Sequence, residues 1–84
     1  MTPLGTFTRD VGLPSVTKSR HEIAVGDVTP LMLGYRPNGL EDRAICRVLA
    51  VYSDWVVVQR KDSGAWCWVN KQRRWEVIDG KEWE

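Results

Sequence analysis

From residue 22 onward the chain is written as short apolar runs, each cut off by a turn pair, and that punctuation constrains the fold more than any other feature. Ile23-Ala24-Val25 stops at Gly26-Asp27, and Val28 to Tyr35 stops at Arg36-Pro37-Asn38-Gly39. Proline presets φ there, and Asn-Gly tolerates the positive φ that turns demand. Pro30 lacks an N–H, so the Val28–Tyr35 run is expected at an edge or as an irregular strand. Residues 43–52, RAICRVLAVY, form the clearest strand; alternation places Ala44, Cys46, Val48, Ala50 and Tyr52 on one face. Ser53-Asp54 makes a two-residue turn, after which Trp55 to Arg60 returns antiparallel. Lys61 to Gly64 turns the chain again, Ala65 to Val69 forms the next strand, and Asn70 to Arg74 is a polar connector of about one 3₁₀ turn. Trp75 to Ile78 closes the pattern before Asp79-Gly80. Helical periodicity is nearly absent, so the fold class is all-β.

Residues 1–21 read differently. Pro3, Gly5, Gly12 and Pro14 break any period, yet Leu4, Phe7, Val11, Leu13 and Val16 are too many apolar groups for a solvated tail. An irregular arm packed on the domain is expected, with room for one short strand. Residues 22–79 then form the barrel-like body, and 80–84 a tail. At 84 residues the chain makes one domain, burying about 60% of its unfolded surface.

The composition excludes several classes. Twelve Lys+Arg against 11 Asp+Glu give a net charge of +1, which argues against a bulk polycation acting on DNA or anionic lipid. No apolar run approaches the ~20 residues that span a bilayer, and the first residues lack the pattern of a secretory signal, so cytoplasmic localisation is expected. Cys46 and Cys67 sit inside apolar runs and are read as reduced core residues, with a disulfide left open should their strands pair. One histidine, His21, and two strand-embedded cysteines offer neither a metal ligand set nor an activated nucleophile. No glycine pattern for phosphates is present. The chain is expected to be no enzyme and to need no metal or cofactor.

The chemistry that stands out is aromatic. Five tryptophans, Trp55, Trp66, Trp68, Trp75 and Trp83, all fall in the last thirty residues. Alternation turns Trp55, Val57, Trp66 and Trp68 away from the small-residue face of Ala44, Cys46, Val48, Ala50, Val56, Val58, Cys67 and Val69. Three neighbouring indoles exceed the apolar patch a monomer ordinarily exposes. Either the arm covers them with Phe7, Leu13 and Val16, or a partner does. Residues 55–78 carry five basic groups against two acidic ones, and Arg60, Lys61, Lys71, Arg73 and Arg74 are expected to rim the face. Tryptophan and arginine dominate interface hot spots, so a protein partner is the leading expectation. Two others stay open: a nucleic acid, bases stacking on the indoles, and further copies of this chain in a homo-oligomer.

From Val25-Gly26-Asp27-Val28 to Trp75-Glu76-Val77-Ile78 the order of elements resembles small SH3-like β-barrels, the architecture of KOW, Tudor and many phage-encoded small proteins. The likeness covers about two thirds of the chain. It implies a five-stranded SH3-like barrel with the irregular arm docked on it, and an accessory, host-modulating or inhibitory role. Val48 to Tyr52 contains no KOW-type glycine, and no acidic run beyond Glu41-Asp42 marks an SH3 peptide site. Only Tyr52 and Trp55 stand where a methyl-lysine cage would need aromatics, so no family site transfers.

Overall fold

Val69 and Trp75 belong to one core cluster although their strands lie four places apart in the sheet. Only a strongly curled sheet brings them together. The structure, a computed structural model, describes residues 13–84. It shows β1 (Ser15–Lys18), β2 (Val28–Tyr35), β3 (Glu41–Val51), β4 (Trp55–Arg60), β5 (Trp66–Asn70), β6 (Trp75–Ile78) and a one-turn 3₁₀ helix, Gly80–Trp83. All pairs are antiparallel, in the order β1-β6-β2-β3-β4-β5. The all-β expectation is met. In place of five barrel strands, however, the described residues form one six-stranded sheet whose end strands β1 and β5 do not pair.

The sixth strand comes from the segment read as an irregular arm. Ser15 to Lys18 run beside Ile78 to Trp75, with Val16 opposite Val77. This places β1 at the edge farthest from β5, so Leu13 and Val16 do not roof the tryptophan face as the covering-arm expectation required. Phe7, the third residue of that expectation, lies outside the described residues. Pro30 sits opposite Ile45 in an interior strand, but β6 pairs with β2 only at Val28. Beyond Val28 the second side of β2 is unpaired, and the missing proline N–H breaks no ladder.

One face of the sheet turns inward. Leu31, Cys46, Val48, Val56, Val58, Val69 and Trp75 form its core with Ile23, and Ala44, Val51, Cys67 and Val77 pack against them. Apart from Ala50, this is the small-residue face that alternation marks out. Small side chains on β3 to β5 leave space at the centre of the curl, and the Trp75 indole fills it at 0% exposure. Its N–H donates to the Lys71 carbonyl at 3.3 Å, so the one polar atom of the ring is satisfied. The Arg73 guanidinium lies 5.3 Å from the ring centroid. An indole of this size removes 150–250 Å² from water, about 4–6 kcal/mol of transfer free energy.

The turns follow local chemistry. Tyr52 N–H donates to Trp55 O at 2.8 Å across Ser53-Asp54, the expected two-residue hairpin. After β4, Gly64 takes φ 74°, a left-handed conformation in which a side chain would be strained, and the chain re-enters the ladder with Arg60 N–H on Ala65 O at 2.8 Å.

Trp75→Ala should cost about 3–5 kcal/mol, comparable with the whole stability of a domain this small. Denaturant unfolding should find the variant largely unfolded in buffer, and Trp75→Phe intermediate.

Candidate functional site

The outer face of the sheet is built in cross-strand rows. One row crosses all six strands: Ser15, Ile78, Val28, Arg47, Gln59 and Trp66. Its β1-β6-β2 end is buried, with Ser15, Ile78 and Val28 at 5% exposure or less. The 3₁₀ helix packs over β2 and β3, where the Arg47 guanidinium lies 4.7 Å from the Trp83 ring centroid. The residues read as a tail therefore cover half of this face. Lys61 Nζ holds them down by donating to the Glu82 carbonyl at 2.6 Å and the Glu84 carbonyl at 3.4 Å.

The β4-β5 end is open. Trp55, Trp66 and Trp68 are 48%, 70% and 65% exposed, and successive outward positions on β5 are about 7 Å apart. Val57 pairs with Trp68 and so shares their face, but it is only 7% exposed and stands outside the core cluster. It forms the floor of the patch, not a contact surface, which corrects its expected place among outward-facing contact residues. Among the described residues nothing covers the three indoles.

A fourth aromatic joins them. Tyr52 stacks on Trp68 with ring centroids 5.7 Å apart and an interplanar angle of 26°. Simple alternation puts Tyr52 and Ala50 on the core face with Cys46 and Val48. The structure moves both outward, because the β3-β4 register shifts between Val48 and Ala50 and leaves Leu49 as an extra residue. A bulge of one residue reverses the parity of everything after it. Val51 instead faces the core, opposite Val56. No Gly or Pro marks residues 48–51, so the composition carries no signal for this bulge.

The expected basic rim divides. Arg60 lies opposite Cys46, on the core-face side of the sheet. Its guanidinium, 15% exposed, donates to both Asp42 oxygens at 2.7 and 2.9 Å and to both Asp62 oxygens at 2.8 and 2.9 Å. These bonds hold the Asp62 carboxyl down to about 2 and draw Asp42 below its ordinary value. Arg60 is thus a clamp between the start of β3 and the β4-β5 turn, on the wrong face for the indoles. Lys61 is committed to the 3₁₀ helix, and Arg73 lies over the core residue Trp75. Lys71 sits half-buried at the β5 end, its N–H donating to Asp54 O at 2.9 Å. Arg74 is exposed, and its side chain makes no hydrogen bond or ion pair among the described residues. Of the five expected cations, only Lys71 and Arg74 have side chains without a hydrogen bond, ion pair or ring contact among the described residues.

Other chemistry is sparse. His21 is exposed and accepts a 3.3 Å hydrogen bond from Arg20 Nε. No three metal-ligating side chains are grouped among the described residues, and no described helix is long and apolar enough to cross a membrane. Both cysteines are free thiols. They face the core from β3 and β5 with β4 between, and Cys46 donates to Ala44 O at 3.6 Å. Burial, with Cys67 nearby, pushes the Cys46 thiol up to about 12. A groove of about 590 Å³ lies at the β1 edge between Leu13, Val16, Ile78 and Glu82, where Ser15 Oγ is buried without a partner.

Comparison of the chain with protein-family models, with curated proteins and with solved structures finds no match.

The raised Cys46 pKa has a definite sign. The folded chain keeps a proton that the unfolded chain loses above its ordinary value of 9.0, so this contribution to stability is complete below pH 9 and fades towards 12. The stability difference between the native chain and Cys46→Ala, measured by urea unfolding, should shrink across that window. In native buffer at pH 8, a thiol reagent should modify Cys67 before Cys46.

Proposed function

We propose that this protein is a non-enzymatic protein-binding module whose partner docks on the patch of Tyr52, Trp55, Trp66 and Trp68. The observation that carries the reading is the exposure of Trp66 and Trp68 on the paired strand β5, while the same sheet covers its other outer half with the 3₁₀ helix. Large indoles on a fixed backbone bind at low entropic cost, and Val57 gives them a dry floor. Lys71 and Arg74 would supply charge-assisted hydrogen bonds that orient the partner. The order β6-β2-β3-β4-β5, with a four-residue connector before β6 that bends without the expected 3₁₀ turn, supports reading the curled sheet as an opened SH3-like barrel. An accessory or inhibitory role follows naturally for so small a chain, which acts by occupying another protein's surface.

A Trp66→Ala, Trp68→Ala double variant should keep the native circular dichroism spectrum and lose partner capture from native cell extract, read by mass spectrometry. Each indole should contribute about 2 kcal/mol or more to affinity, roughly thirtyfold. A folded double variant with unchanged capture overturns the proposal. Arg74→Ala should weaken capture, whereas Arg60→Ala should lower thermal stability and leave the affinity of the folded fraction unchanged. Oligonucleotide binding that falls linearly on a log–log plot against salt, lost in the same double variant, would assign the patch to nucleic acid instead.

A further inference from the structure

The two edges of the sheet are treated differently by the sequence. Beside β1 stands Pro14 and within it Lys18, residues that discourage strand addition. β5 reads Trp-Cys-Trp-Val-Asn, with no charge, proline or bulge, and among the described residues it has no neighbour beyond β4. Arg60 N–H donates to Ala65 O and Lys71 N–H donates to Asp54 O, so Ala65, Cys67, Val69 and Lys71 turn their backbone groups towards β4. By alternation, Trp66, Trp68 and Asn70 turn their N–H and C=O groups to the open edge. Unmet charge at this edge is mainly positive. In the turn before β5, Asp62 is held by Arg60, and Asp42 behind it by Arg60 and Arg36. The connector after β5 carries Lys71, Arg73 and Arg74 and no acid, and none of the three is in an ion pair among the described residues. Asp54, whose carbonyl accepts the Lys71 N–H, offsets one of them.

We propose that the partner of the aromatic patch presents an extended segment with an acidic start, which adds to β5 as an antiparallel strand. This rests on the protein-binding reading and names the form in which the partner arrives. The segment runs antiparallel, as every pair in this sheet does, so it begins opposite Asn70 and ends opposite Trp66. Its residues facing Asn70, Trp68 and Trp66 meet them as hydrogen-bonded pairs, and their side chains fall on the indole face. Apolar or β-branched side chains there pack beside Trp66 and Trp68, and the intervening ones fall on the side of Cys67 and Val69. Carboxylates just before the paired stretch lie against the Lys71–Arg74 connector, where no internal carboxylate is bound. The backbone decides between classes of partner. A nucleic acid would satisfy the cations and stack on the indoles, but it leaves the alternating N–H and C=O groups of the edge unmatched; an extended polypeptide meets them all.

A synthetic peptide of three glutamates followed by alternating valine and threonine tests this on the full chain. Tryptophan fluorescence titration should give a Kd below about 1 mM. Hydrogen exchange should slow at the Trp66, Trp68 and Asn70 amides when the peptide is added. Only alternate peptide amides face β5, so of two peptides N-methylated on all valines or on all threonines, one should bind about tenfold more weakly and the other nearly as well as the parent. Moving the glutamates to the other end should weaken binding about threefold or more. In a Lys71→Gln, Arg74→Gln variant, whose lost side chains bond nothing internally, that difference should disappear. Absence of peptide binding, edge amides unprotected by the peptide or already protected in the free chain, equal losses with both methylated peptides, or equal affinity for the two glutamate orders each overturns the proposal. Oligonucleotide binding without peptide binding overturns it too and assigns the cations to nucleic acid. Peptide binding undiminished in the Trp66→Ala, Trp68→Ala variant leaves the added strand standing and counts against the aromatic patch alone. Partner capture lost in that variant, with the peptides failing as described, leaves the patch standing and removes the added strand alone.

Discussion

A single sheet can bury a face only by wrapping it around something, and here that something is Trp75. The side chains lining the inward face of β3, β4 and β5 are mostly valine, alanine and cysteine, too small to meet across the curl. The indole closes the gap, and its burial ties β6 to β5 through the four-residue connector that supplies the Lys71 carbonyl. Curvature follows from that contact, and with it the division of the outer face. Where the chain returns after β6, the 3₁₀ helix folds over β2 and β3; where the sheet ends at β5, nothing among the described residues does.

Charge in this protein serves mainly to fasten. Arg60 joins the β2-β3 and β4-β5 ends of the sheet through Asp42 and Asp62, Lys18 joins β1 to the turn before β2 through Asp27 at 3.0 Å, and Lys61 joins that end to the 3₁₀ helix. These cations are engaged internally with carboxylates and carbonyls. The basic surface that a count over residues 55–78 suggests shrinks once each group is traced to its partner. Among the described residues, Lys71 and Arg74 of the connector are the two of the five left without such a partner.

The fold class and most strand limits were legible because their signals are local. Ser53-Asp54, Asp62-Ser63-Gly64 and the β-branched run after Trp55 each specify backbone geometry within a few residues. The outward setting of Trp55, Trp66 and Trp68 was equally legible, since alternation within β4 and β5 runs unbroken. Two things were not. Ser15 to Lys18 become a strand only because β6 offers them an edge, and nothing in Ser-Val-Thr-Lys itself distinguishes that from an extended arm. Tyr52 joins the patch because Leu49 bulges, and a bulge arises from fitting two strands together, not from the residues of one.

By itself, then, the sequence determined an all-β domain, its small-residue core and three indoles on the opposite face. Those follow from backbone preferences and the two-residue period, which act along the chain. Tertiary structure alone decided that the sheet stays open, that Arg60 and Lys61 are clamps, that Val57 is floor and Tyr52 is wall. Each of these depends on which strand lies beside which and in what register, and the pairing of distant segments is settled by packing and hydrogen bonding across the whole sheet.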